Sequence, residues 1–332
     1  MKKIRVAQVG FGGIGHTHAS GYPMEGCELV ALCDINEKVL NESGATINIG
    51  SSQVKNLDKI AKYTDFRKML KVEKPDMVDI CIPTPLHVEY AIIAMKAGCH
   101  VLSEKPMGLN SRQCRRLIDA AKKYGVKVMV AQVLRFCPSY EYIRDSYKDG
   151  RYGKLLRLDM RRLSSCPVNA WYNDHTQSGG AILDLHLHDT DFVNSLLGAP
   201  DAVTSRGIVG CTGGIDDVFT VYEYKNGPVV TASGSWFRDG WDCKYAAIFE
   251  KATVTTTGGD NVVVSQYGRN PETIKFENPS GYANEIAYLA DCIANDKAPE
   301  RCPLESTMES VRIVEAEMRS IRLGRTVRFS AR

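Results

Sequence analysis

The chain carries eleven cysteines in 332 residues, yet no two of them stand at Cys-x-x-Cys spacing and none falls in a zinc-ligand pattern. Their odd number and scatter argue against a disulfide framework. Several, such as Cys33 and Cys81, lie within apolar strand patterns, where cysteine behaves as a small buried hydrophobe. Reduced thiols, and with them a cytoplasmic setting, are the expectation. No apolar run approaches the ~18–20 residues that cross a bilayer, so no membrane partner is expected. Met1-Lys2-Lys3 leads directly into a strand-like run with no signal-peptide core before it. Dense basic runs are also missing. The pairs Arg115-Arg116 and Lys122-Lys123 fit the solvated face of one helix, and a net charge of +3 with a pI near 8.2 is only mildly basic. Nucleic-acid binding therefore has no compositional footprint. Internal repeats and low-complexity segments are absent.

What is present describes an ordinary globular chain. Hydrophobic residues make up 44% and charged residues 24%, and the length suggests two domains. Up to about residue 131 strand and helix signals alternate. Apolar runs at Ile4–Val9, 27–34, 77–82, 100–103 and 126–131 are separated by helical patterns. In one, Val88, Ala91, Ile92 and Met95 recur at i, i+3, i+4, i+7; in another, Cys114, Leu117, Ile118 and Ala121 do so before Gly125. This order predicts an α/β fold: a doubly wound parallel sheet over 1–131, a Rossmann domain. Over 132–332 the texture changes. A single helix is expected over 181–197. Runs rich in β-branched and aromatic residues then follow at 203–209, 217–224, 229–236, 244–250, 252–256 and 261–266, joined by turns such as Asn226-Gly227. Two late helices carry stripes of Ile286, Leu289, Ala290, Ile293 and of Val311, Val314, Met318, Ile321. The second domain is thus expected to be α+β with a large, mainly antiparallel open sheet. An open sheet face calls for cover, so a homodimer or homotetramer is expected.

Gly10-Phe11-Gly12-Gly13-Ile14-Gly15 fits G-x-G-x-x-G and sits between a strand and a helix. Gly10 permits the tight turn, Gly12 lets backbone approach a pyrophosphate, and Gly15 allows close helix–strand packing. The helix N-terminus offers unbonded N–H groups and a positive dipole end to the anion. Glycine-rich turns are common, so the pattern needs a second element. Asp34 supplies it, at the end of the next strand and nineteen residues past Gly15. A carboxylate there takes both ribose hydroxyls of NAD and repels a 2′-phosphate. With no Arg at 35 or 36, NAD is favoured over NADP; Lys38 is the one basic residue nearby.

Ligands of a doubly wound sheet bind beyond the carboxyl ends of its strands. Three segments emerge there: Pro83-Thr84-Pro85-Leu86-His87, Glu104-Lys105-Pro106, and 132–135. Lys105, directly after a buried strand and held by Pro106, is positioned to donate to or accept from a reacting hydroxyl. An ordinary Glu104–Lys105 surface pair is the competing reading. A second cluster is Asp184-Leu185-His186-Leu187-His188-Asp189-Thr190-Asp191 after Gly179-Gly180. On an uninterrupted helix Asp184, His188 and Asp191 share a face, with His186 pointing away. A histidine flanked by acids can act as an oriented general base. Two alternatives remain: a surface pair, or a metal site on Asp184 and His188 or on the His-x-His pair. Neither metal set has a third ligand spaced to complete it, and no metal is expected.

Taken together, Gly10 through Gly15, Glu104-Lys105-Pro106 and Gly179-Gly180…Asp184-x-x-x-His188 resemble the glucose–fructose oxidoreductase / inositol dehydrogenase family (Gfo/Idh/MocA). The similarity runs from Ile4 to Gly324-Arg325-Thr326-Val327. The resemblance implies an NAD-dependent oxidoreductase that interconverts a secondary hydroxyl and a ketone on a cyclic polyol or sugar. It implies Lys105, Asp184 and His188 as catalytic residues. For the cofactor it implies the six fingerprint residues with Asp34, Pro83, Thr84, His87, Glu104 and Lys105. Arg135, Asp191 and Asn169 are the implied substrate residues, and Trp171 and Trp241 are candidate aromatic walls for a sugar ring, with core packing as the alternative. Trp241 departs from the tyrosine common at its position, which leaves the substrate's identity open. Two other readings stand beside this one: an NAD-dependent glycosidase or lyase that oxidises its sugar transiently, and a non-catalytic cofactor-binding regulator.

Overall fold

The computed structural model describes residues 3–329 except 23, 25, 48, 49, 168–170, 257–260, 278 and 279. The chain forms two compact units. Residues 1–132 and Tyr282–Met308 make one; Val133–Gly281 and Glu309–Arg332 make the other. Assigning the whole of 132–332 to a second domain, as sequence periodicity suggested, overlooks the return of 282–308 to the first unit. Buried Ile286 and Leu289 explain that return, and the Cys302 thiol donates to the Val130 carbonyl at 3.3 Å.

The first unit is built on a six-stranded parallel sheet in the order Ala61–Tyr63, Cys27–Cys33, Ile4–Val9, Met77–Ile80, His100–Glu104, Val128–Ala131. The doubly wound order reverses at Ile4–Val9, and every strand residue of Met77–Ile80 and Val128–Ala131 is buried, as expected for a sheet covered on both faces. The helices His87–Lys96 and Ser111–Tyr124 stand where their periodicity put them. The second begins at an Asn110 cap whose side chain accepts from Gln113 N, and ends at Gly125 in the left-handed region. Periodicity gave no sign of three elements between 44 and 73. These are the ribbon Gly44–Ile47 with Gly50–Gln53, the edge strand Ala61–Tyr63 and the helix Phe66–Glu73.

The second unit holds a nine-stranded sheet. Its order is Glu272–Ile274, Val262–Ser265, Thr253–Thr256, Phe237–Phe249, Leu155–Ser165, Val229–Ser235, Ile215–Glu223, Ala202–Val209, Val327–Arg328. All pairings are antiparallel except Val229–Ser235 on Leu155–Ser165. The predicted strands are present, with bounds shifted by a few residues. The middle strand Leu155–Ser165 was not foreseen, because Arg162 stands where the alternation of Leu158 and Met160 with Arg157, Asp159 and Arg161 calls for an apolar residue. Among the described residues no helix is long and apolar enough to cross a membrane. The cysteines all stand as thiols.

Candidate active site

In the first unit the fingerprint has the geometry its sequence implies. Gly10 has φ +89°, and a Cβ there would lie 2.2 Å from the Cys81 carbonyl oxygen; one at Gly15 would lie 2.3 Å from the Gly10 oxygen. Gly12 differs from both, because a Cβ on it would meet nothing within 4 Å. That open face of backbone, just before the helix Gly13–Gly21, is the cradle a side chain would fill and a pyrophosphate could occupy. Asp34 Oδ2 accepts from Phe11 N at 2.8 Å, and Oδ1 accepts from Asn36 N at 2.8 Å. The acid is thereby tied to the glycine turn. Phe11 itself is core, packed with Leu32, Leu40, Val54 and Leu57, so only its backbone is available to a cofactor. Ile14 is half-buried. These residues fit a dinucleotide with an unphosphorylated ribose.

At the strand ends, Thr84 is buried and Pro83 half-buried. His87 is buried with Nδ1 2.8 Å from the Pro106 carbonyl and Nε2 2.7 Å from the Ile82 carbonyl. Its ring thus joins the two strand-end loops. Burial pulls its pKa below the ordinary histidine value, while the two carbonyls act in the opposite sense. Lys105 is half-buried, and the Lys105–Pro106 peptide is cis. Glu104 does not lie on the surface: it is 5% exposed, accepts from Lys105 N at 2.9 Å through Oε2, and pairs through Oε1 with His18 Nε2, also at 2.9 Å.

His18, Asp79 and Glu285, which surround this acid, went unnoticed in the sequence. Asp79 in the all-buried strand Met77–Ile80 was the available signal, since a carboxylate in an otherwise apolar strand needs a partner. The sets His18–Asp79–Cys81 and His18–Glu104–Glu285 each have ligand-like spacing. Both imidazole nitrogens already face carboxylates, however.

In the second unit the single helix expected over 181–197 is two, Gly180–Asp184 and Leu187–Leu197. Gly179 and Gly180 have φ +82° and +72°, and Ala181 N donates to buried Asp216 Oδ1 at 3.2 Å, which pins the first short helix to the sheet. The Ala181 carbonyl then accepts from both Leu185 N and His186 N, at 2.9 and 2.8 Å. The second bond closes a wider i→i−5 turn, a form often found at functional sites. The extra residue interrupts the register, so the i, i+4 spacing of Asp184 and His188 no longer by itself places them on one face. From Gly180 to Asn194 every residue is buried except His188. His186, fully buried, lies 3.4 Å from Glu317 Oε2 and 3.3 Å from the Tyr222 hydroxyl.

Arg135 and Asp191 are brought together, but as partners. Nε–Oδ2 is 2.8 Å and Nη2–Oδ1 is 2.7 Å, with both side chains buried. Trp241 is half-buried and packs on Ala181, Leu185 and Trp236 beside the helix break, with the Arg162 guanidinium 5.8 Å from its ring centre. Arg162 pairs with Asp189 at 2.9 Å, next in sequence to His188. Trp171 lies against Tyr172, with ring centres 3.8 Å apart. Asn169 lies outside the described residues.

A dinucleotide-type unit with a sheet-based second unit is an arrangement that known proteins share. Residues 4–132 match the model of the oxidoreductase family with an NAD-binding Rossmann fold, and residues 140–255 match the GFO/IDH/MocA C-terminal domain. The chain belongs to the Gfo/Idh/MocA family. It is 30% identical to a trans-1,2-dihydrobenzene-1,2-diol dehydrogenase of Xenopus laevis over 280 residues, 78% of this chain and 81% of that protein. It is 31% identical to a D-glucoside 3-dehydrogenase of Escherichia coli (strain K12) over 202 residues, 59% of this chain and 55% of that protein. The chain thus spans about half the length of this last relative. Levoglucosan dehydrogenase, solved with NADH and levoglucosan, has the same fold, with a TM-score of 0.85 at 18% identity over 99% of this chain and 100% of that one. The matched family model describes an NAD-binding fold, in line with the NAD expected from Asp34.

Proposed function

We propose that the chain is an NAD-dependent dehydrogenase that interconverts a secondary hydroxyl and a ketone on a cyclic polyol or sugar, with NADP the poorer cofactor. Bound NAD supplies the hydride acceptor. The chain's own residues bind, orient and move the proton. The helix start at Gly12 and Gly13 receives the pyrophosphate, and Asp34 receives the ribose hydroxyls. Pro83, Thr84 and His87 hold the strand-end loop rigid for the cofactor. Lys105 stabilises the negative charge that develops on the substrate oxygen, a preorganised electrostatic contribution of the kind that dominates many enzymes. His188 takes the hydroxyl proton in oxidation and returns it in reduction, and Asp184 orients the reacting groups. Trp171 and Trp241 offer aromatic faces to the apolar side of a ring, and Asn169 a polar contact. Arg135 and Asp191 neutralise each other and shape the substrate side through the helix that carries His188.

The observation that carries this reading is the exposure pattern of residues 180–194, in which His188 alone is not buried. A half-buried histidine in an otherwise buried run keeps access to a bound molecule, which suits a proton-transfer role. The chain is further read as a cytoplasmic homodimer or homotetramer. Its unbridged thiols support the first part, and Leu156, Phe219 and Val229, about half exposed on the nine-stranded sheet, support the second. The test of function is a panel of inositols, hexoses and glycosides with NAD and with NADP, followed by the absorbance of the reduced cofactor. Net reduction with a free polyol or sugar supports the dehydrogenase. Glycoside cleavage without net reduction replaces it with transient oxidation, and inertness towards the whole panel overturns it.

A further inference from the structure

Beneath the Glu104-Lys105-Pro106 turn a set of ionisable side chains is shut away from water. His18, on the helix that follows the glycine turn, is 0% exposed. Its Nδ1 lies 3.0 and 3.2 Å from the two oxygens of Asp79, and its Nε2 lies 2.9 Å from Glu104 Oε1. The Tyr22 hydroxyl donates to Asp79 Oδ2 at 2.7 Å, and the Cys81 thiol lies 3.5 Å from Oδ1. Glu104 Oε2 in turn accepts from Lys105 N. A continuous hydrogen-bonded path therefore runs Tyr22–Asp79–His18–Glu104 to the peptide of Lys105. An imidazole with a carboxyl group at each nitrogen is favoured in its protonated form, which can donate from both; burial lowers the His18 pKa, but Cys81 and Asp79 hold it well above the usual histidine range. Glu285 lies at the edge of the same cluster, fully buried and with neither carboxyl oxygen in a hydrogen bond. Burial, with Glu104 and Asp79 nearby, pushes the Glu285 carboxyl well above its ordinary value.

We propose that His18 is a positioning residue for Lys105. Clamped between Asp79 and Glu104, it fixes the carboxylate that holds the Lys105 peptide, and so sets the direction in which the ammonium group leaves the strand end. The assignment rests on Lys105 acting on substrate as proposed above. A buried charged triad of this kind is costly to assemble unless every member is paired. A charge-assisted bond to the peptide of Lys105 holds it more firmly than a neutral one, and small misplacements at a reacting centre can cost about a hundredfold in rate.

The test uses the full chain carrying His18→Gln or Glu104→Gln, read in two ways. Turnover is measured with the best polyol of the panel, together with NADH titration and thermal unfolding. Independently, the rate and pH profile of acylation of the Lys105 amine are followed by peptide mass spectrometry, which requires no turnover. The expected result is wild-type NADH affinity in His18→Gln, and in either variant a kcat reduced about 10–100-fold with little change in KM and an altered acylation profile at Lys105. A folded His18→Gln protein with wild-type kcat and wild-type Lys105 acylation overturns the proposal. Should His18→Gln not fold, Glu104→Gln, which keeps an acceptor towards His18, is decided by the same two readouts. If no polyol is turned over even by the wild type, the functional reading fails, while the acylation profile still decides the positioning role.

Discussion

Arg135 and Asp191 form a two-pronged ion pair in which the guanidinium and the carboxylate meet along parallel hydrogen bonds of 2.7 and 2.8 Å, and Ser310 donates to the same carboxylate at 2.7 Å. The pair joins the segment after the last strand of the parallel sheet to the helix that carries His188. Because both groups are buried, removing either leaves an uncompensated charge. Asp191→Ala is expected to destabilise the second unit by about 3–5 kcal/mol. The double change Arg135→Met with Asp191→Leu should recover much of that loss. Urea unfolding of the single and double variants checks this, and additive losses would show that the pair is not coupled.

Glu285 offers a pH test. Burial, with Glu104 and Asp79 nearby, holds its carboxyl well above the ordinary value of 4.5, with His18 acting in the opposite sense. A group whose folded pKa is raised stabilises fully below its unfolded pKa and loses that contribution as pH rises towards the folded value. Each pH unit above about 4.5 therefore costs the wild type about 1.4 kcal/mol until the folded pKa is reached. Glu285→Gln removes this titration. Relative to wild type it should become progressively more stable as pH rises above about 4.5, in denaturant unfolding followed at a series of pH values. Parallel curves for the two proteins would contradict a neutral, buried Glu285.

Much of the first unit was legible because its signals are local. The glycine turn, the apolar strand runs and the Gly125 cap each act within a few residues, and Asp34 lies at the expected end of its strand. The helix break at Leu185 and His186 was not legible, since it depends on Asp216, far along the chain, gripping Ala181 N. Spacing rules assume an unbroken helix and cannot register such a long-range tether. Leu155–Ser165 was missed for a related reason. Arg162 looks like a surface residue in sequence, but it is buried because Asp189 receives its charge. Asp79 and Glu285 likewise look misplaced in apolar patterns until their neighbours are known. The candidate site was therefore readable as a set of residue types, whereas the polar groups that hold it in place were not.

Two glycines of one turn should behave differently. Gly10→Ala forces a Cβ against the Cys81 carbonyl at 2.2 Å and places a side chain at φ +89°. It should unfold at markedly lower temperature, with or without cofactor. Gly12→Ala meets no atom within 4 Å, and Gly12 has φ −79°, which alanine adopts freely. Its apo thermal midpoint should match that of wild type, while NADH affinity falls by at least about tenfold, roughly 1.4 kcal/mol. Calorimetric titration with NADH, alongside apo unfolding, separates the two effects. Unchanged NADH affinity in Gly12→Ala would place the pyrophosphate elsewhere.

Lys105 is the residue on which the proposed chemistry turns. Lys105→Ala removes the ammonium but leaves Glu104 its bond to the peptide N–H of residue 105, because that bond uses the backbone. The His18–Glu104 pair and the His87 bridge to the Pro106 carbonyl do not require the lysine side chain. The variant should accordingly fold and bind NADH like wild type. Charge stabilisation at a developing oxyanion is worth about 10²–10³ in kcat for a single donor, and a fully charged donor should be at the upper end. Single-turnover measurements with the best polyol should therefore show a slow hydride step and unaltered cofactor binding. Lys105→Arg keeps the charge on a planar, bulkier group and should restore little, because a point donor is what one alkoxide oxygen accepts. Wild-type rates in Lys105→Ala would remove Lys105 from the chemistry and leave His188 and Asp184 to account for it.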